Sequence, residues 1–160
     1  MHRIRDARWR EPIGHALDLI GPALVDRIGP VRWFTGDPVF AGLHRYGDTD
    51  DGRSYRATAH CCYPVHFAHR PAVDRVTTIV LPYPPSPATV VHELGHALDW
   101  RLGFGHTAAP VTWYARVNRR EAFAEAFTAA VVAGYGDQAA AASDRATRAL
   151  WAALAGTPTP

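Results

Sequence analysis

The segment His92-Glu93-Leu94-Gly95-His96 sets two histidines four residues apart with a glutamate beside the first. On a helix, positions four apart are separated by about 40° around the axis, so both imidazoles can reach one ion. Imidazole nitrogen is a good zinc donor, and a glutamate next to the first histidine can reach a water at that ion. This suits metal-assisted hydrolysis. The competing reading is two histidines on an ordinary amphipathic helix. Two histidines also leave a catalytic zinc one protein ligand short of the usual three.

The downstream sequence limits how the set is completed. In the H-E-x-x-H-x-x-G-x-x-H pattern the glycine falls at Asp99 and the third histidine at Leu102, and with Met1 as the only methionine no Met-turn is possible. The metzincin arrangement is therefore excluded. The chain has four glutamates, Glu11, Glu93, Glu121 and Glu125, and the last two stand one helical turn apart. Either could supply the third ligand. Glu121 has a competing structural role, since Asn118-Arg119-Arg120-Glu121 reads as a capping box. Two carboxylates at i and i+4 repel, however, unless a cation or histidines compensate.

Helices must carry these residues. Ser86 and Pro87 form an N-cap and first helical residue and Gly103 a stop, which predicts a helix from Pro87 to Leu102 with Val91, Leu94, Leu98 and Leu102 as its apolar stripe. Gly95 inside it predicts the close approach of another backbone, such as the helix bearing the third ligand. Asn118 caps that second helix, which runs through Phe123, Phe127, Ala130 and Val131 and is ended by Gly134; a last helix spans about 137–155. Upstream, Val76–Leu81 is a β-branched strand stopped by the proline-rich 82–87, and it is expected to form the cleft edge to which substrate adds as a strand. Weaker strand signals lie at Val31–Phe34 and Tyr55–Cys61, with a turn cluster at 47–52. Residues 12–28 read as one or two helices broken at Gly21-Pro22. The order predicts an α+β fold with a small twisted sheet.

The residues 91–99, VHELGHALD, resemble the H-E-x-G-H-A-x-D helix of the gluzincin metallopeptidases, most closely the catalytic domain of anthrax lethal factor and its short bacterial relatives. Tyr114 through Asn118, followed by Glu121-Ala122-Phe123-Ala124-Glu125-Ala126-Phe127, is similar to that family's second motif, including a tyrosine seven residues before the ligand glutamate. The resemblance covers residues 76–131, with a shorter 97–120 segment than in lethal factor. It implies a zincin-like fold with one zinc ion held by His92, His96 and Glu121. It further implies Glu93 as general base, Tyr114 as a hydrogen-bond donor to the oxyanion, and Glu125 as the acceptor that orients a ligand histidine.

The 160 residues are 48% hydrophobic and 20% charged, which predicts one globular domain: an N-terminal region 1–75, a motif-bearing core 76–131 and a C-terminal helix 137–155. All 17 basic residues are arginine and the net charge is +2. The run Arg3, Arg5, Arg8, Arg10 is interrupted by Asp6 and Glu11, so no nucleic-acid partner is expected. Neither an apolar leader core nor an 18-residue apolar run is present, so the expectation is a cytoplasmic protein without a membrane span, although a delivered effector would look the same. Cys61 and Cys62 are adjacent and cannot form a disulfide framework. His60, Cys61, Cys62, His66 and His69 lack a recurring metal spacing and read as strand and loop residues. His106 and Trp113 either contact substrate or pack a loop. The expected function is a zinc-dependent endopeptidase acting on a protein or peptide. The alternative is an inactive zinc-stabilised binding module, or a latent enzyme whose residues 1–75 cover the cleft.

Overall fold

A computed structural model of the chain describes residues 4–36, 59–62, 76–103 and 108–138. The elements among them are helix α1 (Ala7–Ile28), strands β1 (Val31–Thr35), β2 (His60–Cys62) and β3 (Thr77–Leu81), helix α2 (Pro87–Arg101), a 3-10 turn (Tyr114–Arg116) and helix α3 (Arg119–Val131). The fold is α+β, as the order of signals predicts. The expected helix at 137–155, the 47–52 turn and most of the Tyr55–Cys61 strand lie outside the described residues.

Helix α1 starts five residues earlier than its apolar pattern suggests. Asp6 accepts from the Arg8 backbone amide at 3.0 Å and caps the helix, which brings in Trp9. Trp9, Ile13, Ala16 and Ile20 are buried at spacings of four, three and four, the period of one helical face. Gly21, with φ of 75° and ψ of 163°, breaks the helical path, a conformation that favours glycine, and Pro22 then opens the second segment.

Strand β3 is the middle of the sheet. It pairs in parallel with β1, Trp33 opposite Ile79, and antiparallel with β2, Cys61 opposite Ile79. All five of its residues are buried, so the continuous β-branched run marks a strand covered on both faces. This corrects the expectation that residues 76–81 form the cleft edge: both hydrogen-bonding edges of β3 are already taken, and substrate cannot add there. Among the described residues, β1 and β2 are the outer strands of the sheet.

Helix α2 lies at the centre of the packing. Its Val90, Val91, Leu94, Ala97 and Leu98 join the core formed by α1, Ile79 and Leu81 of β3, and Phe123 and Phe127 of α3. The Trp9 indole also donates to the Leu81 carbonyl at 2.9 Å, tying α1 to the end of β3. Helix α1 is thus part of the same core, which corrects the idea that the N-terminal region as a whole is a removable cover. No helix among the described residues is long and apolar enough to cross a membrane.

Candidate metal centre

Helices α2 and α3 meet where the motif glycine lies. A Cβ added at Gly95 would stand 3.0 Å from Phe127 Cδ1 and 3.1 Å from the Ala124 Cα, tight enough that α3 would have to give by a few tenths of an ångström to admit it. The expected close approach is present, and α3 is the partner. At the far end of the contact, fully buried Asp99 receives both Arg119 nitrogens, at 3.1 and 2.9 Å, pinning the first turn of α3 to the last turn of α2. Glu121 stands two residues beyond that pin. Gly95→Leu is expected to cost about 1–3 kcal/mol from overpacking. It should also weaken metal binding at the cluster of His92, His96 and Glu121, because α3 carries Glu121; unchanged uptake of added zinc by the purified variant would contradict this.

Asn118 caps α3 with its side chain, accepting from the amides of Arg120 and Glu121 at 2.9 and 3.0 Å. The Glu121 carboxylate faces the histidines. His92 Nε2 lies 3.1 Å from Glu121 Oε2 and 3.1 Å from His96 Nε2, and His96 Nε2 lies 3.3 Å from the same Glu121 oxygen. These residues form the one group suited to a metal ion among the described residues. Tetrahedral zinc with bonds of about 2.0–2.1 Å separates its ligand atoms by roughly 3.3–3.4 Å. The triangle is therefore within a few tenths of an ångström of one face of such a site.

Proton counting gives a second fit. His92 Nδ1 is 2.7 Å from Glu125 Oε1, and an ionised carboxylate can only accept, so Nδ1 carries the proton. A neutral His92 then turns the bare lone pair of Nε2 toward a carboxylate oxygen and a second imidazole nitrogen. Three electron-rich atoms at this spacing need a cation or an extra proton among them. Burial by itself would lower the His92 pKa, but hydrogen bonds to Glu121 and Glu125 and the charges of Glu93 and Glu121 push it up to about 10. Burial would raise Glu121, yet hydrogen bonds and charge from His92 and His96 bring it down to about 2.

In the metal-free protein, the His92 contribution to stability is complete below its ordinary value of 6.5 and is lost as pH rises through about 10. The Glu121 contribution is complete above 4.5 and is lost as pH falls toward about 2. A divalent cation such as added zinc, taken up by the cluster at pH 8, should therefore expel about one proton from His92. Calorimetry in buffers of different ionisation enthalpy measures this number; a value near zero would rule out protonated His92 as the resting state.

Glu125 sits on the other side of the His92 ring and is 3% exposed. Besides His92 it accepts from Thr112 Oγ1 at 2.6 Å and from the Tyr135 hydroxyl at 3.0 Å to each oxygen. Burial would raise its pKa, and these donors hold it below the ordinary value. Thr112 and Tyr135 are neighbours of the cluster that the sequence reading missed. Thr112 Oγ1 also accepts from the Ala115 amide at 3.1 Å, which ties Glu125 to the 3-10 turn carrying Tyr114. The Tyr114 ring is 6.1 Å from the His92 ring, centre to centre, and the residue is 47% exposed.

Glu93 is 5% exposed, and its Oε2 has no hydrogen-bond partner among the described residues. Burial pushes its carboxyl up, while His96 and His92 pull it back. A buried carboxylate oxygen without a donor is costly and calls for a role. Nδ1 of His96 likewise lacks a described partner.

No family model, curated protein or solved structure matches this chain. The functional reading therefore stands on the site itself. Other features do not compete with it. An apolar cavity of about 620 Å³ between α1 and β1 reaches α2 only at Leu94. Cys61 packs against the core from β2, whereas His66, His69 and His106 lie outside the described residues. Arg8 of the basic N-terminal run is paired with Asp6 at 2.7 Å.

Proposed function

We propose that this protein is a zinc-dependent endopeptidase with a zincin-like core. The observation that carries the reading is the triangle of His92 Nε2, His96 Nε2 and Glu121 Oε2, with sides of 3.1–3.3 Å, beside a buried carboxylate oxygen of Glu93 that has no hydrogen-bond partner among the described residues. A zinc ion held by these three residues would supply Lewis acidity and lower the pKa of a bound water.

The chain's own residues do the rest. Glu93 accepts the proton of the attacking water at its carboxylate and returns it to the leaving amine. Tyr114, beside His92, offers a hydroxyl to the oxygen of the tetrahedral intermediate. Glu125 fixes His92 with Nδ1 protonated, leaving Nε2 free to bind metal, and Thr112 and Tyr135 hold Glu125 in place. A purely structural zinc site has no use for a buried carboxylate next to its ligands that no described residue hydrogen-bonds through Oε2, which argues against the binding-module alternative.

The test is incubation of zinc-loaded protein with a diverse peptide mixture and identification of new termini by mass spectrometry. New termini made by the parent, and absent after chelation and from Glu93→Gln, are the expected result. A zinc-loaded parent that makes no cuts would overturn the reading.

A further inference from the structure

The turn before α3 presents apolar groups to solvent at the border of the metal cluster. The large hydrophobic residues exposed among the described residues are Leu19, Tyr83, Trp113, Tyr114 and Val117, and three of these five fall within five consecutive positions. Trp113 is 80% exposed and Val117 54%. Trp113 therefore does not serve as loop packing, one of the two roles its sequence position allows.

The exposure does not come from a loosely held loop. Arg116 and Val117 donate their amides to the carbonyls of Trp113 and Tyr114, both at 3.1 Å. With three residues per turn, side chains three apart line up. Thr112 and Ala115 form the inward row: Thr112 is bonded to Glu125, and Ala115 is 3% exposed. Tyr114 and Val117 form the second row, with Tyr114 beside His92, and Trp113 stands on the third. The turn thus holds its apolar groups outward on a fixed backbone anchored to the carboxylate that orients His92. Monomeric proteins seldom expose clustered aromatic and branched side chains unless a partner covers them, and a flat indole held rigid is a favourable anchor surface.

We propose that residues 113–117 are the substrate-docking lip of this site, and that it selects an extended peptide by an aromatic or large aliphatic side chain that packs on Trp113 and Val117. The proposal rests on the peptidase reading for its occupant: Tyr114, with its ring 6.1 Å from that of His92, joins the lip to the cluster, so a peptide held at the metal site has the exposed Trp113 and Val117 on the adjoining turn. Tyr114 serves the chemistry, while Trp113 and Val117 serve selection.

The experiment compares zinc-loaded Glu93→Gln protein with the double variant Glu93→Gln/Trp113→Ala, each used to select from a displayed random peptide library. Peptides captured by the first should share one position enriched in Phe, Tyr, Trp, Leu or Met, and should bind the second about tenfold more weakly. Restoring an aromatic ring with Trp113→Phe in the same background should recover most of the affinity. Zinc content and melting temperature should match across all three, because the indole supports no core. Equal affinity for the same peptides, capture without an apolar position, or no capture at all overturns the lip. So does Trp113-dependent binding to phosphatidylcholine vesicles without peptide selection, which would mark a membrane-facing patch. Incubating the selected peptides with the parent protein separates the two readings. Selected peptides that bind through Trp113 but are never cut would remove the peptidase reading and leave the lip. Cleavage indifferent to Trp113 would do the reverse.

Discussion

Glu93→Gln is expected to lower peptide turnover by about a thousandfold while leaving one zinc per chain and an unchanged fold. The magnitude follows from general-base catalysis, which contributes roughly 10²–10⁴ in rate. The separation of effects follows from geometry, since the three converging ligand atoms belong to His92, His96 and Glu121 and none to Glu93. Glutamine keeps the shape of a side chain that is 5% exposed, so packing with the rest of α2 is preserved. What it removes is the basic oxygen. The pH profile gives an independent check: burial raises the Glu93 carboxyl in the metal-free protein and a cation beside it would pull it back, so the acid limb of kcat/KM should shift when the bound metal is exchanged and vanish with Glu93→Gln. The base must be ionised to act, hence activity rises with pH across that limb. Kinetics on the peptides identified by mass spectrometry, with zinc measured by atomic absorption on the same samples, provide both readouts. A Glu93→Gln variant as active as the parent would exclude the proposed base.

The parts of this site that could be read from sequence are those in which residue spacing alone fixes geometry. His92 and His96 share a face because four residues make a little more than one helical turn, and Gly95 between them marks the place where α3 comes in. The Ser86 and Asn118 caps were equally legible, because a capping side chain acts on amides two or three residues away. The missed features are tertiary. Thr112 and Tyr135 meet Glu125 from 13 and 10 residues away, and nothing in their immediate neighbours distinguishes them from loop residues. The central position of β3 was similarly hidden, since a β-branched run shows that a strand is buried without saying which strands flank it. At α1 a helix read over 12–28 leaves out Trp9, whose place on one face with Ile13 and Ala16 becomes visible only once Asp6 is recognised as the cap.

Glu121 and Glu125 show how a tertiary fact resolves what spacing leaves open, and they lead to the second large effect. Both are one turn apart on α3, yet they address opposite nitrogens of one imidazole: Glu121 approaches Nε2 at 3.1 Å and Glu125 approaches Nδ1 at 2.7 Å. Only the Nε2 side also contains His96, so only Glu121 can share an ion with both histidines. The like-charge cost of the pair is offset by the ring between them. Glu125→Gln is therefore expected to weaken zinc binding by about 10–100-fold, the usual range for a residue that orients a ligand histidine. Glu121→Gln should weaken it further, to the point that zinc is lost on dialysis, because a ligand of the ion itself is removed. Helix α3 should nevertheless keep its start, since Asn118 caps it with its own side chain and does not depend on the Glu121 carboxylate. Competition against a chelator of known affinity, alongside circular dichroism, measures both quantities. If Glu125→Gln lost zinc more readily than Glu121→Gln, the ligand assignment would have to be exchanged. Equal retention by both would mean that Glu121 faces the histidines only as a hydrogen-bonding carboxylate, and the metal centre would fall with it.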